Sequence, residues 1–515
     1  MQPSADKATQ SLTRGDLLSA LSLAIDLGLG LPMDSMQRTA LVAQRLALAA
    51  GLGQSEADAA YYLSLLRFVG CTASSHGDAA LFGDELGAAS LMTADDAEML
   101  ATVRHSIGRG LPPWQRAQMF AKAVSFALSG QLAGQHAMHC EAAALIAARL
   151  DLPEAVREGV AHTYERWDGR GSPSGVSGEA IRPAMRAVHV ATYAALLLPQ
   201  ASATEIASAV RARSGRHFDP ALSRIFADDA GALLAGLGNN DLSALVLEAE
   251  PMAPAYSGAS IDTALEAIAD FGDLKTPHML GHSRRVARLA GDAAQRASMP
   301  TGDVALVRHA GLIHDVGRVG VQESLWIKSG PLSAAEQERI RLHSYLTERV
   351  FANSPQLAAA GRIGGGHHER LDGTGYHRGT EAGRQPAAMR ILAAANAWCA
   401  FTEPRPHRPM MTPREASDAL NGEAKAGRLD RKAVDAVLSA AGADPRRRRA
   451  AGISLSEREI EVLRAVAGQQ SNKEIARDLG ISPKTVERHV THIYDKIGVT
   501  TRAGAALYAV EHGLA

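Results

Sequence analysis

The segment that decides the C-terminal fold of this chain is 471-SNKEIARDLGISPKTVERHVTHIYDKI-497. It opens with a capping box, in which the Ser471 hydroxyl and the Glu474 carboxylate each satisfy a backbone amide at a helix start. Gly480 can turn left-handed and end that helix, and two residues later Ser482 can cap a second helix. Two helices with so short a connection must cross steeply, so the segment predicts a helix-turn-helix.

The second helix of this pair has two different faces. Apolar residues recur at helical spacing and predict one buried stripe: Val486, Val490, Ile493 and Ile497. The other face carries cations and a hydroxyl group: Lys484, Thr485, Arg488, His489, His492 and Lys496. Such side chains suit DNA phosphates and base edges. The alternative is an ordinary amphipathic surface helix with solvated charges, and the DNA-reading helix is favoured over it.

The whole of 453–515 resembles the LuxR-type C-terminal domain without a gap. The matching stretches are Leu455 to Glu459, Glu461 to Leu463, Ser471 to Ala476, Ile481 to Val490 and Lys496 to Val499. The resemblance implies four helices, of which the third enters the major groove and the last, near Thr501 to His512, helps form a homodimer. It implies double-stranded DNA and RNA polymerase as partners. It also implies that five side chains face DNA: Lys484, Thr485, Arg488, His489 and Lys496.

Composition limits the remaining possibilities. At 515 residues the chain is too long for one core, and two to four domains are expected. The chain has 54 Lys and Arg against 55 Asp and Glu, so any attraction to nucleic acid must be local. The tract Arg446 to Arg449 is local; it is either a solvated linker or an arm that contacts phosphates.

The sequence predicts a cytoplasmic protein without a membrane segment. Its three cysteines show no paired spacing, which indicates free thiols in a reducing compartment. The stretch from Met1 to Arg14 is polar and lacks the apolar core of a signal peptide. The most apolar run, 187–198, is interrupted by His189 and is too short to span a bilayer.

Between about 261 and 442, histidines recur on a series of apolar helical patterns. They are His282, His314 with Asp315 beside it, His343, and the pair His367-His368. Imidazoles and one carboxylate brought together by several helices form a site for a divalent metal. The His-Asp pair lets the carboxylate bridge two ions, which can clamp a phosphoryl group. Any single histidine is better explained as a capped or surface residue, but the series favours metal binding.

Residues 273–435 resemble the HD-GYP class of HD-domain phosphohydrolases, which hydrolyse cyclic di-GMP. The matching pieces are Gly281 to Val286, His314 to Arg318, Lys328 to Leu332, His343, and His367 to Tyr376. The resemblance implies a dinuclear iron or manganese centre held by His282, His314, Asp315, His343, His367, His368 and Asn396. It implies that Asp315 and Arg318 are catalytic. It further implies nucleotide contacts from Arg318, Lys328, Arg370 and Tyr376.

Three positions depart from the pattern of that class. Asn396 stands where the class carries its last metal-binding aspartate, and an amide brings no negative charge, so affinity for a second ion should fall. Arg318 replaces the usual lysine after His-Asp and keeps the cation with a different shape. His377 replaces the proline of the Gly-Tyr-Pro signature and loosens the loop that lines the nucleotide pocket.

The front half repeats this layout at constant offsets, without its metal ligands. The matched pairs include Gly70 with Gly317, His139 with His343, and Glu165 to Gly169 with Glu369 to Gly373. The ligands His314, Asp315, His367 and His368 fall opposite Arg67, Phe68, Thr163 and Tyr164. A phenylalanine in place of the bridging carboxylate excludes that metal site. We therefore expect a degenerate repeat that packs or senses, in which His139 is an ordinary histidine left without partners.

The sequence as a whole predicts an all-α protein: tandem HD-domain helical repeats followed by a four-helix LuxR-type helix-turn-helix domain. The expected boundaries are a disordered tail at 1–14, a degenerate HD-like domain without metal ligands at 15–235, a linker at 236–260, an HD-GYP-like domain at 261–442, a basic linker at 443–452 and the helix-turn-helix domain at 453–515.

Three functions remain open for this architecture. The first is a transcriptional regulator whose central domain binds a metal and a cyclic dinucleotide as its signal. The second is an active metal-dependent cyclic di-GMP phosphodiesterase with a DNA-binding output domain. The third is a scaffold whose repeats only mediate dimerisation. Asn396 favours the first over the second, and the retained His-Asp and His-His pairs weigh against the third.

Overall fold

The computed structural model describes residues 12–82, 102–104, 107–108, 112–238, 242–252, 254–406, 408–442 and 455–514. The protein is 69% helical, and these ranges contain no β-strand, which confirms the all-α prediction. Within the same ranges, no helix combines the length and the apolar character needed to cross a bilayer.

The α-helices of the front repeat are α1 (Arg14–Gly28), α2 (Ser35–Ala49), α3 (Gln54–Leu66), α4 (Ser75–Phe82), α5 (Pro113–Leu128), α6 (Gln131–Arg149), α7 (Glu154–Gly159), α8 (Pro183–Leu197), α9 (Ala203–Ala212), α10 (Pro220–Asp228), α11 (Ala230–Leu233) and α12 (Ser243–Glu248). Those of the second repeat are α13 (Ala259–Leu274), α14 (His282–Arg296), α15 (Thr301–Ile313), α16 (Glu323–Trp326), α17 (Ala334–Phe351), α18 (Ala358–Gly365), α19 (Ala387–Thr402), α20 (Pro413–Lys425) and α21 (Arg431–Gly442). Those of the C-terminal module are α22 (Glu457–Ala467), α23 (Asn472–Leu479), α24 (Pro483–Ile497) and α25 (Arg502–Glu511).

Capping boxes start helices in all three parts of the chain. The capping residues are Thr13, Ser202, Ser333, Thr412, Ser456 and Ser471. Each side chain accepts a hydrogen bond from the third amide of its helix, and the acidic residue there accepts one from the capping amide. Local sequence therefore sets many helix starts, including those predicted at Ser333 and Ser471.

The two repeats form one packed body. In the front repeat α2 packs against α3 and α8, and in the second α14 packs against α15, α19 and α21. A single hydrophobic core runs through both, because α1 also packs on the short 3-10 helix Val316–Gly320 of the second repeat. That 3-10 helix directly follows Asp315, so the front repeat supports the segment that carries the predicted bridging carboxylate.

Two expected boundaries need correction. The tail at 1–14 ends too late, because Leu12 is buried and pairs with Tyr256, and Thr13 caps α1. The segment 236–260 is not a plain linker, because it contains α12 and begins α13, and the Val246 carbonyl accepts a hydrogen bond from the Tyr61 hydroxyl. The basic tract Arg446 to Arg449 and the linker at 443–452 lie outside the described residues.

The C-terminal module has the four helices that the sequence predicts. Gly480 ends α23 with a left-handed φ of 65°, and Ser482 then caps α24 by accepting from the Thr485 amide. Of the predicted buried stripe, Val486 and Ile493 are buried, and Val490 and Ile497 are partly buried. The last helix, α25, packs against α6 of the front repeat.

Candidate metal centre and nucleic-acid interface

Four segments of the second repeat bring the predicted metal ligands together. His282 begins α14, and His314 and Asp315 follow α15 directly. His343 lies in the middle of α17, and His367-His368 follow α18. The ligand atoms form two groups, each within 4.8 Å: the His282 group (His282, His314, Asp315) and the His343 group (His343, His367, His368).

Asp315 belongs to the His282 group but also faces the His343 group. Its Oδ2 atom is 3.5 Å from Nε2 of His314 and 3.9 Å from Nε2 of His282. Its Oδ1 atom is 3.4 Å from Nε2 of His343 and 3.4 Å from Nε2 of His367. Each carboxylate oxygen therefore faces a different group, which is the geometry of a carboxylate that bridges two ions.

Backbone carbonyl groups fix the tautomer of three of these imidazoles. Nδ1 of His314 is 2.8 Å from the Gly311 carbonyl oxygen, and the corresponding distances for His343 and His367 are 2.5 and 2.6 Å. A carbonyl oxygen only accepts, so each Nδ1 carries the proton and each Nε2 presents a lone pair. Such anchoring of the distal nitrogen is typical of metal-bound histidines.

Several acceptor atoms of the cluster face one another, with no donor from the described residues between them. Nε2 of His343 and Nε2 of His367 lie 3.3 Å apart, and each presents a lone pair to the other. Among the described residues, Nε2 of His314 and Oδ1 of Asp315 are buried and form no hydrogen bond. Burial without a partner is costly for such atoms. The residues present therefore fit a divalent metal.

The charge states of these groups also suit metal binding. Burial lowers the pKa of His314 and of His343 to about 3, so both rings are neutral at pH 7. Burial alone would raise the pKa of Asp315, but the positive charge of the Arg318 guanidinium, 3.5 Å away, helps to hold it well below its ordinary value. A charged carboxylate beside these two neutral imidazoles is a donor set for a borderline divalent ion.

Sequence reasoning missed Glu403, which orients His282. The Glu403 carboxylate accepts from Nδ1 of His282 at 2.7 Å and from Nε of Arg285 at 2.7 Å. The second nitrogen of His282 lies 3.1 Å from Oδ1 of the buried Asn396. Glu403 is the first residue after α19, the helix that carries Asn396, and that proximity was the only available signal.

The predicted nucleotide-binding residues differ in their burial and in the groups that they contact. Arg318 is buried, with its guanidinium 3.7 Å above the ring of Trp326. Tyr376 stacks on His368 at 4.2 Å, and Arg370 donates to the Glu369 carbonyl. Lys328 is exposed and pairs with both carboxylate oxygens of Glu336, at 2.9 and 2.8 Å. Trp326 was missed; its edge contact with His343, at 5.4 Å, places it beside the centre.

In the front repeat, the Arg67 side chain lies among residues that stand opposite the metal ligands of the second repeat. Its guanidinium donates to the Thr163 carbonyl and to the Thr192 hydroxyl, at positions equivalent to His367 and Asn396. Burial lowers the pKa of Arg67 to about 10, so it stays charged at pH 7. A fixed organic cation thus fills the site in which the second repeat gathers ligands for an ion.

His139 in the front repeat is hydrogen-bonded on both ring nitrogens. Its Nδ1 pairs with the Tyr164 hydroxyl at 2.9 Å and its Nε2 with the Ser74 hydroxyl at 2.7 Å. The partners that it lacks are the metal ligands of the second repeat, since Arg67, Phe68, Thr163 and Tyr164 stand in their places. The ring is a satisfied core residue, which agrees with its interpretation as an ordinary histidine.

The predicted DNA-contacting residues lie on α24 of the C-terminal module. Lys484 and Arg488 are exposed, and Thr485 and His489 are half-buried on the same helix. Lys496 is exposed but bonds to both carboxylate oxygens of Glu459, at 2.7 and 2.9 Å. The charge of Lys496 is thus already paired, whereas Lys484 and Arg488 present theirs to solvent.

Comparison with known proteins agrees with this architecture. The HD domain family model matches 92–222 and 266–433, which together exceed half of the chain. The chain belongs to the HD domain family. The model for bacterial regulatory proteins of the luxR family matches 453–509. The two HD matches agree with the tandem repeat that the constant offsets predict.

The relatives of this HD protein include cyclic-dinucleotide phosphodiesterases. It is 27% identical over 414 residues to 3'3'-cGAMP-specific phosphodiesterase 3 of Vibrio cholerae, covering 78% of this chain and 89% of the relative. It is 31% identical over 146 residues to a cyclic di-GMP phosphodiesterase of Thermotoga maritima, covering 28% of this chain and 39% of that protein. A crystal structure of a cyclic GMP-AMP specific phosphodiesterase of Vibrio cholerae matches with a TM-score of 0.59 and 22% identity, over 84% of this chain and 99% of that one. The last likeness shows the fold.

Proposed function

We propose that this protein is a transcriptional regulator that binds double-stranded DNA through 453–515 and whose second HD domain binds divalent metal and a cyclic dinucleotide as its signal. The observation that carries the proposal is the convergence of four imidazole Nε2 atoms on Asp315, within 3.9 Å, in a chain that ends in a luxR-family module. Such a centre is suited to a ligand with phosphate groups.

Two ions fit the donor set, and iron or manganese suits its mixture of nitrogen and oxygen. One ion would be held by the His282 group with Asn396, and the other by the His343 group with Asp315 shared between them. When bound, a pair of divalent ions polarises a phosphodiester and activates water. The chain itself contributes the Arg318 guanidinium, which Trp326 holds beside Asp315 and which can neutralise a phosphate charge.

The ligand class comes from the relatives, whose names specify 3'3'-cGAMP or cyclic di-GMP. Tyr376, stacked on His368 beside the cluster, offers an aromatic face at the same end of the site. We propose a 3',3'-linked cyclic dinucleotide as the ligand.

An active phosphodiesterase is the second candidate function. It is favoured by the bridging position of Asp315 and by all five retained histidines. Asn396 argues against it, because its neutral amide lies 3.1 Å from His282 where a carboxylate would add charge to the site. If the centre turns over its ligand, the protein is an enzyme whose DNA binding responds to the presence of substrate.

On the DNA side, we propose that α24 reads the duplex with Lys484, Thr485, Arg488 and His489. Lys496 contributes less to phosphate binding, because Glu459 neutralises it. A homodimer on DNA and a contact with RNA polymerase complete the proposal, and both come from the resemblance of the module to the luxR family.

Metal analysis and ligand binding on the full chain test the proposal. We expect two divalent ions per chain in the wild type and loss of metal in Asp315→Ala. The control His309→Gln removes an imidazole of α15 that pairs with Asp262 outside the cluster, and it should keep both ions. Binding of 3'3'-cGAMP or cyclic di-GMP without product supports the regulator, and product formation supports the enzyme. A metal-free protein that binds neither nucleotide contradicts both.

A further inference from the structure

The C-terminal module is docked on the joint between the two HD repeats. Its small core is continuous with Ala73 and Ala142 of the front repeat and with Leu274 and Leu280 of the second. The contacting helix is α25, which packs on α6 and, less extensively, on α13. The exposed residues of α24 point away from this contact, since Lys484 and Arg488 remain in solvent.

Glu141 of α6 is the first polar anchor of the docked module. Its Oε1 atom accepts from the Thr500 amide at 2.6 Å and from the Thr500 hydroxyl at 2.9 Å, and its other oxygen accepts from the Thr501 hydroxyl. A Cβ atom on Gly504 would lie 2.6 Å from that second oxygen. One carboxylate thus binds the start of α25, and Gly504 allows the close approach.

Arg149, at the end of α6, is the second anchor. Its Nη2 atom donates to the Leu507 carbonyl at 3.2 Å and pairs with Glu511 at 2.8 Å. Its Nη1 atom pairs with Asp270 of α13, whose side chain is 1% exposed. One guanidinium therefore joins the module, the front repeat and the second repeat.

Asp270 continues this network to the metal centre. It accepts from Nε and Nη2 of Arg284 at 2.8 and 2.7 Å. Arg284 lies on α14 two residues after His282, and the intervening Ser283 is held by Asp273 of α13. A change in the position of the first turn of α14 must therefore move Arg284 relative to Asp270, and so disturb the partner of Arg149.

We propose that Glu141 and Arg149 form a latch that holds the DNA-binding module on the HD body, and that the metal centre acts on this latch through Arg284 and Asp270. For its DNA readout this inference rests on the proposed function. A docked module has a fixed position on the HD body. To bind one duplex together, however, two modules must lie about 34 Å apart, the length of one helical turn. Release of the latch lets a pair reach that spacing and gain the avidity of two contacts.

Hydrogen exchange on the full chain, without DNA, tests whether the latch holds the module. The variant Glu141→Ala removes all three acceptor contacts, and the control Glu154→Ala removes an exposed carboxylate from α7, which packs on α3 and α6. We expect the Thr500 amide and the amides of α25 to exchange at least about tenfold faster in Glu141→Ala only. Unchanged exchange overturns the latch.

DNA binding by the same proteins tests whether the latch regulates. The probe is a mixed-sequence duplex long enough for two modules, measured by fluorescence anisotropy at fixed salt. We expect Glu141→Ala to bind roughly tenfold more tightly than the wild type and the control. Faster exchange with unchanged affinity overturns the regulatory role. Failure of every protein to bind any duplex contradicts the proposed DNA function, while the exchange result still decides whether Glu141 holds the module.

Manganese alone tests the connection to the metal centre. We expect Mn²⁺ to change the exchange of α25 in the wild type and in His309→Gln. In Arg149→Met, which keeps an unbranched stem and removes the guanidinium, the response should disappear. A wild type that binds Mn²⁺ without any change in α25, or an Arg149→Met variant that responds fully, overturns the proposed connection.

Discussion

Glu403 offers a sharp test of the metal centre, because it acts on one ion position only. Its carboxylate fixes Nδ1 of His282 at 2.7 Å, and its other contacts are with Arg285 and Arg405 rather than with the His343 group. A hydrogen bond to a charged group contributes about 1.5–3 kcal/mol. Since 1.4 kcal/mol corresponds to a factor of ten, loss of this bond should weaken the ion at the His282 group about 10–100-fold, the range typical of residues that orient metal ligands.

The experiment titrates Mn²⁺ against a fluorescent chelator and fits two binding constants. We expect Glu403→Gln, whose amide oxygen can still accept, to weaken one site about tenfold, and Glu403→Ala to weaken it towards 100-fold. The other site should not change. The control Glu423→Gln removes a carboxylate that pairs with Arg428 at the surface of the same domain. Equal weakening of both sites, or no weakening in Glu403→Ala, would refute the assignment of Glu403, provided that the melting temperature shows a folded protein.

Three further predictions concern other parts of the chain. Reversing the charge of Lys484 and Arg488 should reduce duplex affinity and lower the slope of log K against log salt by about one for each lost phosphate contact. Lys496→Gln should change this slope less, and equal slopes in all variants would contradict the proposed interface. Asn396→Asp should tighten Mn²⁺ binding at the His282 group by about tenfold, and it should increase the rate of any phosphodiesterase turnover. An unaltered Mn²⁺ affinity would show that the amide is not near the ion. Burial lowers the pKa of His139 to about 3 from an ordinary 6.5, so between these values the unfolded state binds a proton that the folded state does not. The contribution of His139 to the free energy of unfolding is therefore complete above pH 6.5 and should decline as the pH falls towards 3, by up to ~1.4 kcal/mol per pH unit. His139→Gln should flatten the dependence of the melting temperature on pH, and a curve as steep as that of the wild type would count against this explanation.

The sequence predicted what local chemistry and chain order determine. The capping boxes at Ser333 and Ser471 and the left-handed Gly480 depend on neighbouring residues only, and each is present. The clustering of His282, His314, Asp315, His343, His367 and His368 followed from the family pattern, because the fold fixes where each segment arrives.

Contacts between distant residues were beyond sequence reasoning. Glu403 and His282 are 121 positions apart, and Glu141 and Thr501 are 360 apart, so no periodicity connects them. The pairing of Lys496 with Glu459 likewise depends on how α22 crosses α24, which the charges of one helix do not reveal. The prolines and glycines of 236–260 predict turns and hence a linker, whereas the burial of Val246 depends on its packing against the front repeat.

Because of Arg67, the charge in the interior of the front repeat does not depend on ions in solution. Because its guanidinium is covalently part of the chain, the front repeat keeps its central positive charge whatever ions the cell contains. In the second repeat Arg318 lies 3.5 Å from Asp315, but under the proposed function the imidazole lone pairs that face one another also need a metal ion between them. Under the proposed function, the charge inside the front repeat does not depend on metal, whereas the charge inside the second repeat changes with the supply of divalent metal.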